Sequence, residues 1–176
     1  MGAVYDLNPV TKITIGTIGP PGQRVFYLQG KSGGELVSLI IEKQHAVALA
    51  ASLDELLAEL DARFPRPVAR DTGTGGGELA LPVDPLFRVG QIGLGYDQTA
   101  DLVVIIAYEM TLEEDEDGSV VRFWGQREQM RTLRNLALAA VEGGRPTCPI
   151  CGELIEPTGH LCPRRNGHGN DPKFAL

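Results

Sequence analysis

Cysteine is scarce in this sequence, and the few cysteines are not placed as in a disulfide framework. The 176 residues contain three cysteines, all of them between Cys148 and Cys162. Disulfide-stabilised secreted domains usually carry an even number of cysteines spread along the chain. An odd number confined to one short segment argues against such a framework and favours metal binding.

Basic side chains are outnumbered by acidic ones. The sequence contains 16 lysines and arginines and 23 aspartates and glutamates, which gives a formal net charge of -7. Nucleic-acid binding without sequence preference needs many cations that displace counterions from phosphates. The charge balance therefore disfavours nucleic acid as a partner, although a local basic patch remains compatible with it.

Long hydrophobic runs are also missing. The longest apolar run, Leu102 to Tyr108, is far too short to span a bilayer. The N-terminal residues MGAVYDLNPV show no basic region followed by an apolar segment, as a secretory signal would. We expect a cytoplasmic protein that does not associate with a membrane.

The first half of the chain alternates short strand patterns with turn residues. Strands are predicted at Ile13–Ile18, Val25–Gln29 and Glu35–Glu42, separated by the turns GPPGQ and GKSGG. Apolar residues then recur at helical spacing from Gln44 to Phe64. Because Ser52 and Glu55 form a capping-box pattern, two helices broken near Ala51 are an alternative to one.

The same order of elements returns after a glycine-rich connection at residues 66–78. Strands are predicted at Phe87–Tyr96, Leu102–Met110 and Ser119–Trp124, followed by a helix at Gln126–Glu142. The two halves, at about residues 11–64 and 86–143, form a pseudo-repeat of pattern without residue identity. The prediction is an α+β body over residues 1–144, in which two helices cover one antiparallel sheet and residues 66–78 form a flexible linker.

Residues 145–170 are predicted to form a small zinc-ribbon-like module around one structural zinc ion. Cys148 and Cys151 have the C-x2-C spacing of a zinc knuckle, and the glycine after the second cysteine suits that turn. Cys162 is a third ligand. Either His160 or His168 completes the set: His160 shares a strand face with Cys162, whereas a turn at Asn166-Gly167 brings His168 back.

Two basic groups are candidates for binding a ligand. Arg127, Arg131 and Arg134 recur on one stripe of the second predicted helix, and Arg164 and Arg165 lie on the cysteine module. They could bind RNA or a phosphate-bearing ligand. The alternative is a solvated helix face on which the arginines pair with nearby acids.

Three stretches resemble an uncharacterised bacterial family, typical of actinobacteria and Chloroflexi, that is classed as a domain of unknown function. They are the opening YDLNPVTKITIGTIGPPGQRVFYLQ, the helix start RFWGQREQMRTL and the tail CPICGELIEPTGHLCPRRNGH. The resemblance covers nearly the whole chain and is most specific in the tail. It implies a cytoplasmic location and supplies no activity, so no catalytic residue is carried over.

The leading functional hypothesis is a zinc-binding interaction protein without enzymatic activity, whose partner is another protein. Three thiolates and an imidazole saturate a zinc ion, which favours a structural role over a catalytic one. RNA or phosphate binding is the first alternative. The second is an enzyme whose site lies on the sheet face, for instance at Arg24, Tyr27, Tyr96 and Glu109.

Overall fold

The computed structural model describes residues 2–66, 77–143, 148–153 and 161–163. Within these ranges the elements are β1 (Val4–Leu7), β2 (Lys12–Ile18), β3 (Val25–Ser32), β4 (Glu35–Ile41), α1 (Lys43–Arg63), β5 (Pro85–Asp97), β6 (Leu102–Glu109), β7 (Val120–Gly125) and α2 (Arg127–Glu142). The protein is therefore a mixed α+β fold with a seven-stranded sheet and two helices. None of the helices in the described part of the chain is long and apolar enough to cross a membrane.

The sheet is mixed, so the prediction of a purely antiparallel sheet was wrong. Its strand order is β1-β7-β6-β5-β4-β3-β2, and both the β4–β5 pair and the β1–β7 pair are parallel. Parallel neighbouring strands need a crossover connection, and the connection between β4 and β5 contains the 21-residue helix α1.

The sheet curls, so that strands near its two ends approach each other. In the connection between β1 and β2, the Val10 N–H donates to the Trp124 carbonyl of β7 and the Thr11 N–H donates to the Lys31 carbonyl of β3, both at 2.7 Å. A Cβ added to Gly30 on β3 would lie 2.5 Å from the Phe123 ring on β7. Glycine at position 30 therefore permits the close approach of β3 and β7.

Helix α1 is one continuous helix, so the alternative of a break near Ala51 was wrong. Its buried stripe includes Leu53 and Leu57, which pack into the hydrophobic core. The N-terminus of α1 is closed by a bond from the Glu42 N–H to His45 Nδ1, at 3.0 Å. This bond satisfies a donor that the helix itself leaves free, which gives His45 a structural role.

Two compact units divide the chain. The first comprises Met1–Ile18 and Val25–Val141, and the second comprises Gly19–Arg24 and Glu142–Leu176. Residues 67–76 and 144–147 lie outside the described residues. The predicted body boundary at residue 144 and the linker at 66–78 therefore stay predictions.

Candidate metal centre

The first part of the centre is a tight turn that begins at Cys148. The Gly152 N–H donates to the Cys148 carbonyl at 2.9 Å, and the Cys148 N–H donates to the Glu153 carbonyl at 2.8 Å. Gly152 has a φ of 76°, in the left-handed region that a residue without Cβ adopts most easily. This backbone geometry brings Cys148 and Cys151 onto the same side of the turn.

The third cysteine joins this pair although ten residues separate it from Cys151 in the sequence. The Sγ atoms of Cys148, Cys151 and Cys162 all lie within 4.8 Å of one another. Cys148 and Cys162 are buried and Cys151 is partly exposed. Two thiolates bound to a tetrahedral zinc ion, with Zn–S bonds of about 2.3 Å, lie about 3.8 Å apart, so three converging sulfurs can hold one ion.

Backbone amides around the cysteines make the site favourable for a thiolate. The Cys151 N–H, and less strongly the Ile150 N–H, donate to the Cys148 sulfur and outweigh desolvation, which lowers the pKa of Cys148 to about 7. The Glu153 amide acts in the same direction on Cys151, but desolvation and the neighbouring Cys148 and Cys162 sulfurs outweigh it and raise the pKa of Cys151. Anionic sulfurs this close together repel one another, and a cation bound between them would remove that repulsion.

The fourth ligand is not settled by the described residues. His160 and His168, the two candidates, both lie outside them. The same holds for Arg164 and Arg165, the two arginines predicted on the cysteine module. These four assignments stay predictions.

The arginine stripe on α2 faces α1, and its side chains bond within the fold. Arg127 is 2% exposed, and its guanidinium donates to the Phe64 carbonyl at 2.8 Å and to Asp101 Oδ1 at 3.1 Å. It also approaches the Tyr96 hydroxyl and Asp61, both at 3.4 Å. Arg127 thus joins the end of α1, the β5–β6 turn and the start of α2.

The other two arginines of the stripe continue this pairing of the helices. Arg131 bonds to Asp61 at 2.5 Å, and Arg134 bonds to Asp54 at 2.6 Å. Both partners are acidic residues of α1 that lie 70 and 80 residues away in sequence. They are not the acidic residues near the stripe in sequence, which the alternative interpretation had paired with these arginines. The stripe therefore stabilises the helix pair, and a phosphate ligand would have to displace these carboxylates.

Tyr96 and Glu109, two of the residues grouped as a candidate enzymatic site, do not meet on the sheet. Tyr96 pairs with Val103 at one end of the β5–β6 hairpin, and Glu109 pairs with Val89 at the other end. Six residues along a strand span about 20 Å. In addition, the Glu109 carboxylate accepts the Ser119 N–H at 2.7 Å, and the Tyr96 hydroxyl donates to Asp101 at 2.7 Å.

Buried polar side chains on β2, β3 and β4 were not predicted as functional. Thr14, Gln29 and Ser38 are 1–3% exposed and form a row across the three strands. The sequence does contain a signal for them, since each is a polar residue next to an apolar residue in its strand. Such residues need hydrogen-bond partners when buried, and Thr14 and Gln29 find theirs 63 and 51 residues away in sequence.

The fold and the cysteine cluster together define a mixed α+β protein with a candidate metal centre near its C-terminus. The chain belongs to the family described as Protein of unknown function (DUF3090), which matches residues 5–162. The matched range includes all three clustered cysteines. No curated protein and no solved structure matches the chain. Membership of an uncharacterised family is thereby confirmed, whereas the bacterial origin and the tail motif stay predictions.

Proposed function

We propose that the protein is a zinc-stabilised interaction protein without enzymatic activity, which acts in the cytoplasm and binds another protein. The observation that carries the zinc assignment is the convergence of the Cys148, Cys151 and Cys162 sulfurs to within 4.8 Å. Soft thiolate ligands select zinc over magnesium or calcium, which prefer oxygen. A zinc-ribbon-like module at residues 145–170 follows from the same ligand set.

The structural role of the ion follows from its ligands. Three thiolates and one imidazole, from His160 or His168, would fill a tetrahedral shell and leave no position for a reacting water. In a module of this size, metal binding supplies most of the folding free energy. The zinc would therefore order the segment that carries it, and that ordered segment is available to contact a partner.

Elemental analysis of purified protein tests the metal assignment. We expect one zinc per chain in the wild type and loss of zinc in Cys148→Ser. His160→Ala and His168→Ala identify the fourth ligand, because one of them will lose zinc and the other will keep it. His45→Ala is the matched control, since His45 is the remaining one of the three histidines and its side chain accepts a bond at the start of α1.

The outcomes separate the proposal from its competitors. Zinc-free wild-type protein would remove the metal assignment altogether. Zinc retained in both tail variants, together with a zinc-bound water, would indicate an open coordination position and therefore a catalytic ion. RNA or phosphate binding remains a prediction that would have to rest mainly on Arg164 and Arg165, and binding that is absent at every salt concentration would eliminate it.

A further inference from the structure

Residues 77–80, called the strap from here on, cross one face of the sheet without forming a helix or strand. The buried polar row of Thr14, Gln29 and Ser38 lies under them. This face is distinct from the hydrophobic core on the other side of the strands, where Leu28 and Leu39 are buried. The sheet therefore binds a piece of its own chain on its polar side.

The strap is held through its backbone. Thr14 Oγ1 donates to the Gly77 carbonyl at 2.5 Å, and Lys12 Nζ donates to the Glu78 carbonyl at 2.7 Å. Gln29 forms a paired contact with Ala80, because its Oε1 accepts the Ala80 N–H at 2.8 Å and its Nε2 donates to the Ala80 carbonyl at 3.2 Å. Backbone groups are common to every peptide, so these bonds do not depend on the strap's own side chains.

Two glycines decide which side chains of a bound segment fit at this contact. A Cβ on Gly16 of β2 would lie 2.7 Å from Leu79 Cγ, so the bare backbone of β2 makes the seat for the leucine. A Cβ on Gly77 would overlap the Leu136 side chain of α2. The pattern glycine, any residue, leucine therefore fits this face, and the side chains of Glu78 and Ala80 are exposed.

Burial is distributed unevenly across this contact. The receiving side chains Thr14, Gln29 and Ser38 are almost fully buried. Among the strap residues, Glu78 and Ala80 are exposed, and Leu79 is only partly buried. The strap is therefore held mainly by side-chain-to-backbone hydrogen bonds, each with a small net contribution. If the strap left the sheet, Thr14, Gln29 and Ser38 would be exposed to water, which can form the hydrogen bonds that the strap had provided.

We propose that this face is a peptide-binding site and that the strap is its built-in competitor. The partner is a protein segment with the pattern glycine, any residue, leucine, which takes the bonds that the strap makes with Lys12, Thr14 and Gln29. Because the strap is tethered to the site, it competes at a high effective concentration and keeps the site closed to weak ligands. This inference goes beyond the zinc assignment and does not depend on it.

A labelled peptide with the sequence Gly-Glu-Leu-Ala-Leu, which is that of residues 77–81, tests the proposal on the full-length chain. Leu79→Asp weakens the strap, and Leu81→Asp is the matched control, because Leu81 is 73% exposed. We expect Leu79→Asp to bind the peptide at least about tenfold more tightly than the wild type, since the tethered competitor loses its leucine contact and competes less strongly. Leu81→Asp should bind like the wild type.

Adding Gly16→Val to the Leu79→Asp chain should abolish binding, because the valine side chain fills the seat of the leucine. Binding that persists with Gly16→Val, equal binding to all chains, or no binding to Leu79→Asp at millimolar peptide would overturn the proposal. Hydrogen exchange of the wild type is a second measurement that needs no variant. The Ala80 amide should exchange at least about 100-fold faster than the Leu28 amide, and equal rates would show that the strap does not open locally.

Discussion

Replacing Arg127 with methionine should be among the most damaging single changes in the helices. The guanidinium is 2% exposed, and it bonds to the Asp101 carboxylate and to the Phe64 carbonyl at the end of α1. Methionine fills much of the volume but leaves the carbonyl without this donor. Among the described residues, Tyr96 and Arg66 are then the partners left to the Asp101 carboxylate.

The magnitude follows from the burial of the two partners. Removing one member of a buried ion pair costs about 3–5 kcal/mol, and the Asp101 side chain is 28% exposed, so the lower end applies. A loss of about 3 kcal/mol corresponds to a Tm lowered by about 6–12 °C in a chain of this size. Urea unfolding followed by circular dichroism measures the free-energy difference directly.

Arg134→Met is the matched control, because it makes the same change on the same helix. Arg134 pairs with Asp54, whose side chain is 67% exposed, and exposed pairs contribute less than about 1 kcal/mol. The two variants should therefore differ by about 2 kcal/mol or more. If Arg127→Met is no less stable than Arg134→Met, Arg127 is not the connection between the helices and the β5–β6 turn that the geometry indicates.

The remaining predictions concern packing, pH and metal removal. Gly30→Ala should destabilise the fold by about 1–3 kcal/mol, because the new Cβ meets the Phe123 ring. Gly34→Ala is the control and should not destabilise the fold, because the space around Gly34 is open. Equal urea midpoints for the two variants would contradict this prediction. Arg131 holds the pKa of Asp61 below its ordinary value of 3.8. For Asp101, desolvation acts to raise the pKa, but the Tyr96 hydroxyl, Arg127 and Arg66 together outweigh it and lower the pKa. The stability that the ionised Asp61 and Asp101 carboxylates contribute is therefore complete above pH 3.8 and is lost as the pH falls below that value. Urea unfolding measured between pH 6 and pH 3 will detect this loss. A free energy of unfolding that stays constant over this range would refute the prediction. Excess zinc chelator should shift the amide resonances of the cysteine segment and leave those of the sheet unchanged.

The parts of the fold that follow from local patterns could be predicted. Both helices have a long periodic stripe of apolar residues, and six of the strands are apolar segments bounded by turn residues. The positions of these helices and strands therefore agree with the sequence-based prediction within a few residues. Strand β1 was missed because Val4–Leu7 is only four residues long and lies at the edge of the sheet. The parallel pairs were missed because pairing depends on where the chain returns, which local alternation does not encode.

The same distinction applies to the sites. Cys148 and Cys151 could be predicted as candidate metal ligands because their C-x2-C spacing is a specific local signal for a metal site. The role of Arg127 could not be predicted, since its partners lie 26 to 67 residues away and an arginine on a helix is usually exposed. The strap was missed for a related reason: its first residues, Gly77 and Glu78, fall within a glycine-rich stretch interpreted as linker, and only the folded sheet shows what they bind.

X-ray absorption at the zinc edge tests the central claim most directly, because it reports the atoms bound to the metal. The account predicts three sulfurs at about 2.3 Å and one nitrogen at about 2.0 Å. Fewer than three sulfurs in the wild type, or an oxygen in place of the nitrogen, would contradict a closed structural site built on Cys148, Cys151 and Cys162.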